Sequence, residues 1–326
     1  MPMTAVRSTR RDILVGLIGR GIAASRTPSM HIAEGKAQGL HLDYRIIDMD
    51  AADRCHLTLK EILEQVEREG YRGVNITHPF KVEVIPLLDE LSVNANAVSA
   101  VNTVVFDNGV RRGHNTDLRG FTESFRREFG SRPHQHVLLV GAGGAGAAVA
   151  HALVDCGVRK LSLYDIDRGH AESLADHLAG KAAGVSVNAV ADLAAVIAED
   201  RPDGLVNATP MGMANRPGSA VPPSLLAPQI WVIDIVYFPL ETELLRAARA
   251  RGCHAVNGEG MAIFQAVRAF ELFTGLPADP DRMRATFESF GRPTPDTPGA
   301  GVLNGDDLEI QDRRRRQDSL GLSNRG

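Results

Sequence analysis

Gly141, Ala142, Gly143, Gly144, Ala145 and Gly146 spell G-x-G-x-x-G directly after the apolar run 137–140. A strand that ends this way continues most simply as a tight turn into a helix. The first glycine makes the turn, the second lets backbone approach a pyrophosphate, and the third lets the helix pack on the strand. The helix start then offers unpaired N–H groups and a positive dipole end to an anion. Asp165 stands nineteen residues after Gly146, at the end of the next apolar run, where a carboxylate can accept hydrogen bonds from ribose hydroxyls. A plain βαβ turn without a ligand satisfies the same glycine pattern, so the flanking strand, helix and acid carry the reading. Residues 137–154 also lack any Asp, Glu, Lys or Arg, about the length of a membrane span. Four glycines in the first half of that stretch would weaken a spanning helix, which favours strand, turn and helix in a soluble protein.

A chain of 326 residues has room for two domains of ordinary size. With 44% hydrophobic and 23% charged residues it is too apolar to be disordered throughout. Its net charge of −4 lacks the basic footprint of a nucleic-acid binder. Cys55, Cys156 and Cys253 match neither a disulfide framework nor a C-x-x-C metal site, so a reducing, cytoplasmic setting is expected. The first residues carry arginines without the apolar run of a signal peptide. No metal-ligand cluster is evident; isolated histidines such as His31 and His78 read as core or surface residues.

Strand-like runs at 13–18, 44–48 and 73–77 alternate with helical stretches. Thr27 and Pro28 are expected to open a helix as N-cap and first helical residue, with Gly39 closing it. Leu59, Ile62, Leu63 and Val66 recur at helical spacing before Gly70. Another helix is expected over 81–91, and Asp107-Asn108-Gly109 marks a hairpin turn. A second unit begins at His136, with strands at 137–140, 160–164, 205–208 and 231–236 and helices ending near Cys156, over 241–251 and over 260–274. This alternation predicts an α/β fold with a mainly parallel sheet.

Polar residues fall where open α/β sheets bind ligands, at the carboxyl ends of strands. Asn75, Thr77 and Lys81 follow the third strand, while Asn102-Thr103 and Asn115-Thr116-Asp117 add two amide–hydroxyl clusters. Each has an ordinary alternative, since single lysines are commonly surface residues and Asn-Thr pairs commonly form turns. The carboxylate of Asp165 repels a 2′-phosphate and Ile166 offers no cation, although Arg159 and Arg168 are near in sequence. NAD is therefore expected over NADP.

The succession of motifs resembles the shikimate and quinate/shikimate dehydrogenases. Ser25-Arg26-Thr27-Pro28, Asn75-x-Thr77-x-Pro79-x-Lys81, Ala100-Val101-Asn102-Thr103 and Asn115-Thr116-Asp117 with Gly120 come first. The glycine loop, Asn207-Ala208-Thr209-Pro210-Met211-Gly212 and Gly258-x-x-Met261-x-x-x-Gln265-Ala266 follow in family order, from about residue 14 to 290. Ser-Arg-Thr-Pro and Asp165-Ile166-Asp167 resemble the NAD-dependent quinate/shikimate branch. The resemblance implies that Lys81 and Asp117 are the catalytic pair. It implies that Ser25, Thr27 and Tyr237 hold the substrate carboxylate, and that Thr77, Asn102 and Gln265 bond ring hydroxyls. Cofactor contacts would fall to the six loop residues, Asp165, Asn207, Thr209, Met211 and Met261. Thr27 can cap its helix as well, and Met261 fits core packing as readily as a nicotinamide contact.

The expected architecture is an N-terminal α/β substrate domain, a Rossmann-type dinucleotide-binding domain, and C-terminal helices that pack back on the first domain. The boundaries expected are 1–12 for a disordered N-terminus, 13–116 for the substrate and catalytic domain and 117–256 for the NAD domain. Residues 257–290 would form the returning helices, and 291–326, with an arginine run at 313–316, a disordered tail. The expected activity is NAD-dependent, reversible oxidation of quinate, shikimate or both to the 3-dehydro ketone. No nucleic-acid or membrane partner is expected, and a homodimer is left open. Alternatives are a biosynthetic enzyme reducing 3-dehydroshikimate, an aminoshikimate-type relative, and a non-catalytic dinucleotide or metabolite sensor; a sensor has no need of Lys81 and Asp117 together. An amine accepts a proton only when neutral, a form that desolvation favours and a neighbouring carboxylate opposes. Lys81 is expected to shuttle the proton while Asp117 orients it and the hydroxyl.

Overall fold

In a computed structural model of the chain, residues 12–180 and 184–289 are described. The expected disordered segments 1–12 (apart from Asp12) and 291–326, with the arginine run, lie outside the described residues. The chain divides into the units Met1–Phe287 and Glu288–Gly326. Of the second, only Glu288 and Ser289 at a helix end are described.

The first half of the larger unit comprises β1 (Asp12–Gly19), α1 (Thr27–Ala37), β2 (His41–Asp48), α2 (Leu59–Arg68), β3 (Gly73–Ile76), β4 (Glu90–Leu91), α3 (Val93–Val98), β5 (Thr103–Asp107) and β6 (Val110–His114). Its sheet runs β2-β1-β3-β5-β6-β4. β1 pairs in parallel with β2 and β3, and β4 with β6, while β5 runs antiparallel to β3 and β6. The sheet is therefore mixed, the hairpin supplying the antiparallel part. Asn108 and Gly109 both take positive φ at its tip, as a two-residue turn with the right twist requires. Thr58 and Glu61 cap α2 reciprocally, and Leu59, Ile62, Leu63 and Val66 are all buried.

Two expectations change here. Thr27 is the first residue of α1, and Arg26 holds the cap position without capping the helix through its side chain. The Ser25 hydroxyl meets the Thr27 amide at 3.4 Å, so the helix entry is served from two residues upstream and Thr27 turns inward. The expected helix over 81–91 is a series of turns, with a single 3₁₀ turn at Ile85–Leu87 and then β4. Pro86 has no N–H to give an i−4 carbonyl, so these turns do not continue as an α-helix, while Val84 still buries its side chain.

The second half comprises α4 (Asp117–Phe129), β7 (His136–Val140), α5 (Gly144–Asp155), β8 (Lys160–Tyr164), α6 (Arg168–Ala179), β9 (Ser186–Ala189), α7 (Leu193–Ala195), β10 (Gly204–Asn207), β11 (Trp231–Asp234), α8 (Glu243–Ala250) and β12 (Ala255–Asn257). Its sheet is parallel throughout, in the order β12-β11-β10-β7-β8-β9. The order reverses between β7 and β10, the crevice where doubly wound sheets bind ligands. No described helix is long and apolar enough to cross a membrane; the uncharged stretch 137–154 divides into β7, the glycine turn and α5.

The last helices, α9 (Glu259–Thr274) and α10 (Pro280–Ser289), cover the first sheet. Ile263, Phe270, Phe273, Met283 and Phe287 share a core with Val15, Leu17 and Tyr44. Arg282 grips the buried Glu34 with two bonds of 2.7 and 2.9 Å. Burial would raise the Glu34 carboxyl, but hydrogen bonds from Arg282, Gln38 and the Asp279 amide hold it below its ordinary value.

His31 lies in the same core, fully buried, with ring centroids of Tyr44, Phe270 and Phe273 at 5.0, 6.0 and 6.0 Å. Neither ring nitrogen has a hydrogen-bond partner among the described residues. Burial lowers its pKa to about 3, against a weaker pull upward from Glu34. The unfolded chain, with an ordinary histidine near 6.5, therefore takes up this proton first. Stability present at neutral pH is lost as pH falls from about 6.5 toward 3. In urea unfolding, His31→Leu should gain about 2 kcal/mol on the wild type between pH 8 and pH 5. An unchanged difference between the two proteins over that range would show that His31 does not stay neutral in the fold.

Candidate active site

Lys81 and Asp117 meet although thirty-six residues separate them: Nζ donates to Oδ2 at 2.6 Å. Both are mostly enclosed, with side chains 19% and 8% exposed. Lys81 follows β3 through a turn, and its carbonyl accepts the Val101 amide at 2.8 Å, which ties that turn to the start of β5. Asp117 is the first residue of α4. Its position is set by the buried residues before it. Asn115 Oδ1 accepts the Leu118 amide at 3.0 Å, and Asn102 Oδ1 accepts the Thr116 amide at 2.8 Å. Asn102 Nδ2 donates to Thr116 Oγ1 at 2.9 Å, which leaves its second N–H for another acceptor. Beneath this layer Asn75 donates to Thr103 Oγ1 and accepts from the Tyr44 hydroxyl at 2.6 Å.

The dinucleotide-type loop comes against this pair. A Cβ built on Gly144 would lie 3.5 Å from the Lys81 Cβ. Gly141 has φ +104°, and a Cβ there would stand 2.8 Å from the Ala208 carbonyl carbon. A Cβ on Gly146 would stand 2.0 Å from the Gly141 oxygen, whereas one on Gly143 would meet nothing within 4 Å. Turn, helix packing and an open face thus fall to the three glycines as a pyrophosphate cradle requires, and the loop fits a dinucleotide. Asp165 accepts the Ala142 amide at 2.7 Å on one oxygen and the Asp167 amide at 2.9 Å on the other, so it ties β8 to the loop and still has lone pairs to offer.

Across the crevice, Asn207 is completely buried at the end of β10. Its Oδ1 accepts from the Thr209 amide and hydroxyl at 3.0 and 2.7 Å, and its Nδ2 donates to the Met211 carbonyl and to Asp234. It shapes the 207–213 loop from inside rather than facing the crevice. Asp234 is the group the motif reading misses; the signal available is an acid that interrupts the apolar run 231–236. Burial pushes its carboxyl up to about 6, opposed by hydrogen bonds from Thr242, the Val236 amide and Asn207.

The remaining expected residues gather around α4 and α9. A Cβ on Gly120 would lie 2.8 Å from the Met261 carbonyl oxygen and from the Gln265 nitrogen, so this glycine lets the two helices close together. Met261 is buried in the core that holds Leu118 and Phe121. Gln265 is half-buried, with one N–H on the Ala262 carbonyl. Tyr237 keeps 38% of its surface exposed, yet desolvation around its phenol and the charge of Asp117 push its pKa up, with Arg26 opposing. Thr77 is half-buried, and its methyl lies 2.4 Å from a Cβ built on Gly19.

A doubly wound sheet with a glycine loop at its switch point, and a lysine–carboxylate pair against that loop, define a nicotinamide-dependent dehydrogenase. The family model for the shikimate dehydrogenase substrate binding domain matches residues 17–104, and that for the shikimate 5'-dehydrogenase C-terminal domain matches 258–286. The chain belongs to the shikimate dehydrogenase family: it is 50% identical over 284 residues to the quinate/shikimate dehydrogenase (NAD(+)) of Corynebacterium glutamicum strain R, across 85% of this chain and 99% of that relative. The shikimate dehydrogenase (NADP(+)) of Arthrobacter sp. strain FB24 is 45% identical over 278 residues, covering 85% of this chain and 94% of the relative. A solved quinate dehydrogenase from Corynebacterium glutamicum in complex with NAD matches with a TM-score of 0.78 at 50% identity, covering 86% of this chain and all of that one. A ThiF family model matches residues 130–212, the region of β7 to β10.

Proposed function

We propose that this chain oxidises quinate and shikimate to their 3-dehydro ketones with NAD, reversibly, by means of Lys81 and Asp117. The observation that carries the reading is the 2.6 Å contact between Lys81 and Asp117 beside Gly144. NAD, when bound, supplies the acceptor for the hydride that leaves the alcohol carbon. Lys81 takes the proton from the alcohol oxygen, and Asp117 aligns the amine and holds the ammonium it becomes. Thr77, the second N–H of Asn102 and the free amide groups of Gln265 bond the ring hydroxyls, a set that rejects analogues lacking one. Ser25, Thr27 and Tyr237 receive the carboxylate.

The six loop residues and the first turn of α5 would hold the pyrophosphate, and Asp165 the ribose. Thr209 and Met211 border the cofactor on a loop that Asn207 fixes, with Met261 on the α9 side. We assign 13–116 to substrate, 117–256 to NAD and 257–290 to helices returning to the substrate sheet, supported by the core that α9 and α10 share with β1 and β2. The three cysteines are free thiols, which suits a reducing cytoplasm.

The test is a matrix of quinate and shikimate against NAD and NADP, followed by absorbance of the reduced cofactor. Both acids should be oxidised, with kcat/KM for NAD at least about tenfold above NADP because Asp165 meets a 2′-phosphate with like charge. A preference for NADP, or failure to oxidise either acid, overturns the assignment.

A further inference from the structure

Ser25, Thr27 and Tyr237 offer hydrogen bonds but no charge. A carboxylate that leaves water for neutral donors is held more firmly when a positive charge stands nearby. Lys81 is engaged with Asp117 and takes the alcohol proton only as a neutral amine, so it brings no net positive charge to the carboxylate. Arg26 stands between two of the three donors in the chain, and the structure holds its guanidinium in place. The Arg26 Cζ lies 4.9 Å from the ring centre of Phe238 and 5.4 Å from that of Phe287. Phe238 follows Tyr237 directly, and the Phe287 ring lies 6.2 Å from the Tyr237 ring. Arg26 Nη1 is closed off from solvent. Arg26 also opposes Asp117 in its effect on the Tyr237 phenol, in line with the shared aromatic contacts.

A guanidinium held over aromatic rings gives up part of its hydration but keeps its charge. Such a cation acts more strongly on a nearby anion than a solvated surface arginine does. We infer that Arg26 is a specificity-determining residue that makes the site prefer a substrate carrying a carboxylate over a neutral polyol of the same shape. α10 takes part through Phe287, anchored by the Arg282–Glu34 pair in the preceding turns. The inference rests on the reading that Ser25, Thr27 and Tyr237 receive the carboxylate.

The experiment compares wild type, Arg26→Lys and Arg26→Met in steady-state oxidation of shikimate and of its neutral methyl ester at saturating NAD. Arg26→Met should raise KM for the acid about tenfold, with kcat changed less than about threefold. Its KM for the ester should stay near the wild-type value, so discrimination between acid and ester falls about tenfold. Arg26→Lys, which restores the charge without the planar group, should recover part of that discrimination. Equal increases in KM for acid and ester in both variants would reduce Arg26 to a packing residue and overturn the inference, as would unchanged KM values in Arg26→Met. A wild type that oxidises the ester as efficiently as the acid overturns the carboxylate reading itself, and one that oxidises neither overturns the proposed function.

Discussion

Lys81→Ala is expected to lower kcat about a thousandfold while KM for the acid and for NAD each change less than about threefold. The amine donates to Asp117 at 2.6 Å, and it stands at the loop that would carry the cofactor. Its loss removes the proton route in the transition state but none of the groups assigned to the carboxylate or the pyrophosphate. Two further variants separate proton transfer from charge. Lys81→Arg keeps a cation near Asp117, but a guanidinium does not give up its proton in proteins, so turnover should stay within about tenfold of the alanine variant. Asp117→Asn keeps the size of the side chain and removes the counter-charge, and should lower kcat by a smaller factor, about a hundredfold. Recovery of near-normal turnover in Lys81→Arg would show that positive charge suffices and would remove proton transfer from the role of Lys81. Thermal unfolding of each variant checks that the loss is not one of folding.

Most of the scaffold around this pair is legible in the sequence because local chemistry and tertiary structure agree there. The periodic face of α2, the Asn108-Gly109 turn and the glycine loop are each specified by neighbours within a few residues. The expected helix over 81–91 fails where an apolar pattern and a proline conflict: the spacing of Val82, Val84, Ile85, Leu87 and Leu88 suits a helix, but Pro86 stops the hydrogen-bond ladder. Residues that meet only through long-range folding are harder to read. Asn207 in its motif looks like a cofactor contact, but its role as the inner brace of the loop depends on Asp234, twenty-seven residues away. Asp165 likewise serves the loop backbone as well as any ribose, because the carboxylate at the end of β8 faces the amide of Ala142 at the end of β7. Arg26 is hidden inside a motif whose hydroxyls draw attention, and its aromatic partners come from two distant segments.

Gly146→Ala and Gly143→Ala add the same methyl group to the same loop and should fail differently. At Gly146 the new carbon would stand 2.0 Å from the Gly141 oxygen and 2.8 Å from its carbonyl carbon, so backbone must move. Gly141 cannot easily give way, since its amide is held by the Tyr164 carbonyl at 2.7 Å and its other side abuts Ala208. The start of α5 must therefore retreat from β7, which destabilises the fold by about 1–3 kcal/mol and lowers Tm by several degrees. The retreat also pulls Gly144 away from Lys81, so NAD affinity should fall by about ten- to a hundredfold together with turnover. At Gly143 the methyl enters open space at an ordinary negative φ of −73°, and Tm without cofactor should stay within about a degree of wild type. The same methyl occupies the face left clear for the pyrophosphate, so NAD affinity should still fall by about tenfold or more. Thermal unfolding with and without NAD reads both effects in one experiment: the Gly146 variant loses stability in either condition, and the Gly143 variant loses only the increment that NAD adds. A Gly143 variant with the full wild-type increment would mean that the phosphates do not cross that face, and the cradle would have to be sought elsewhere along the crevice between β7 and β10.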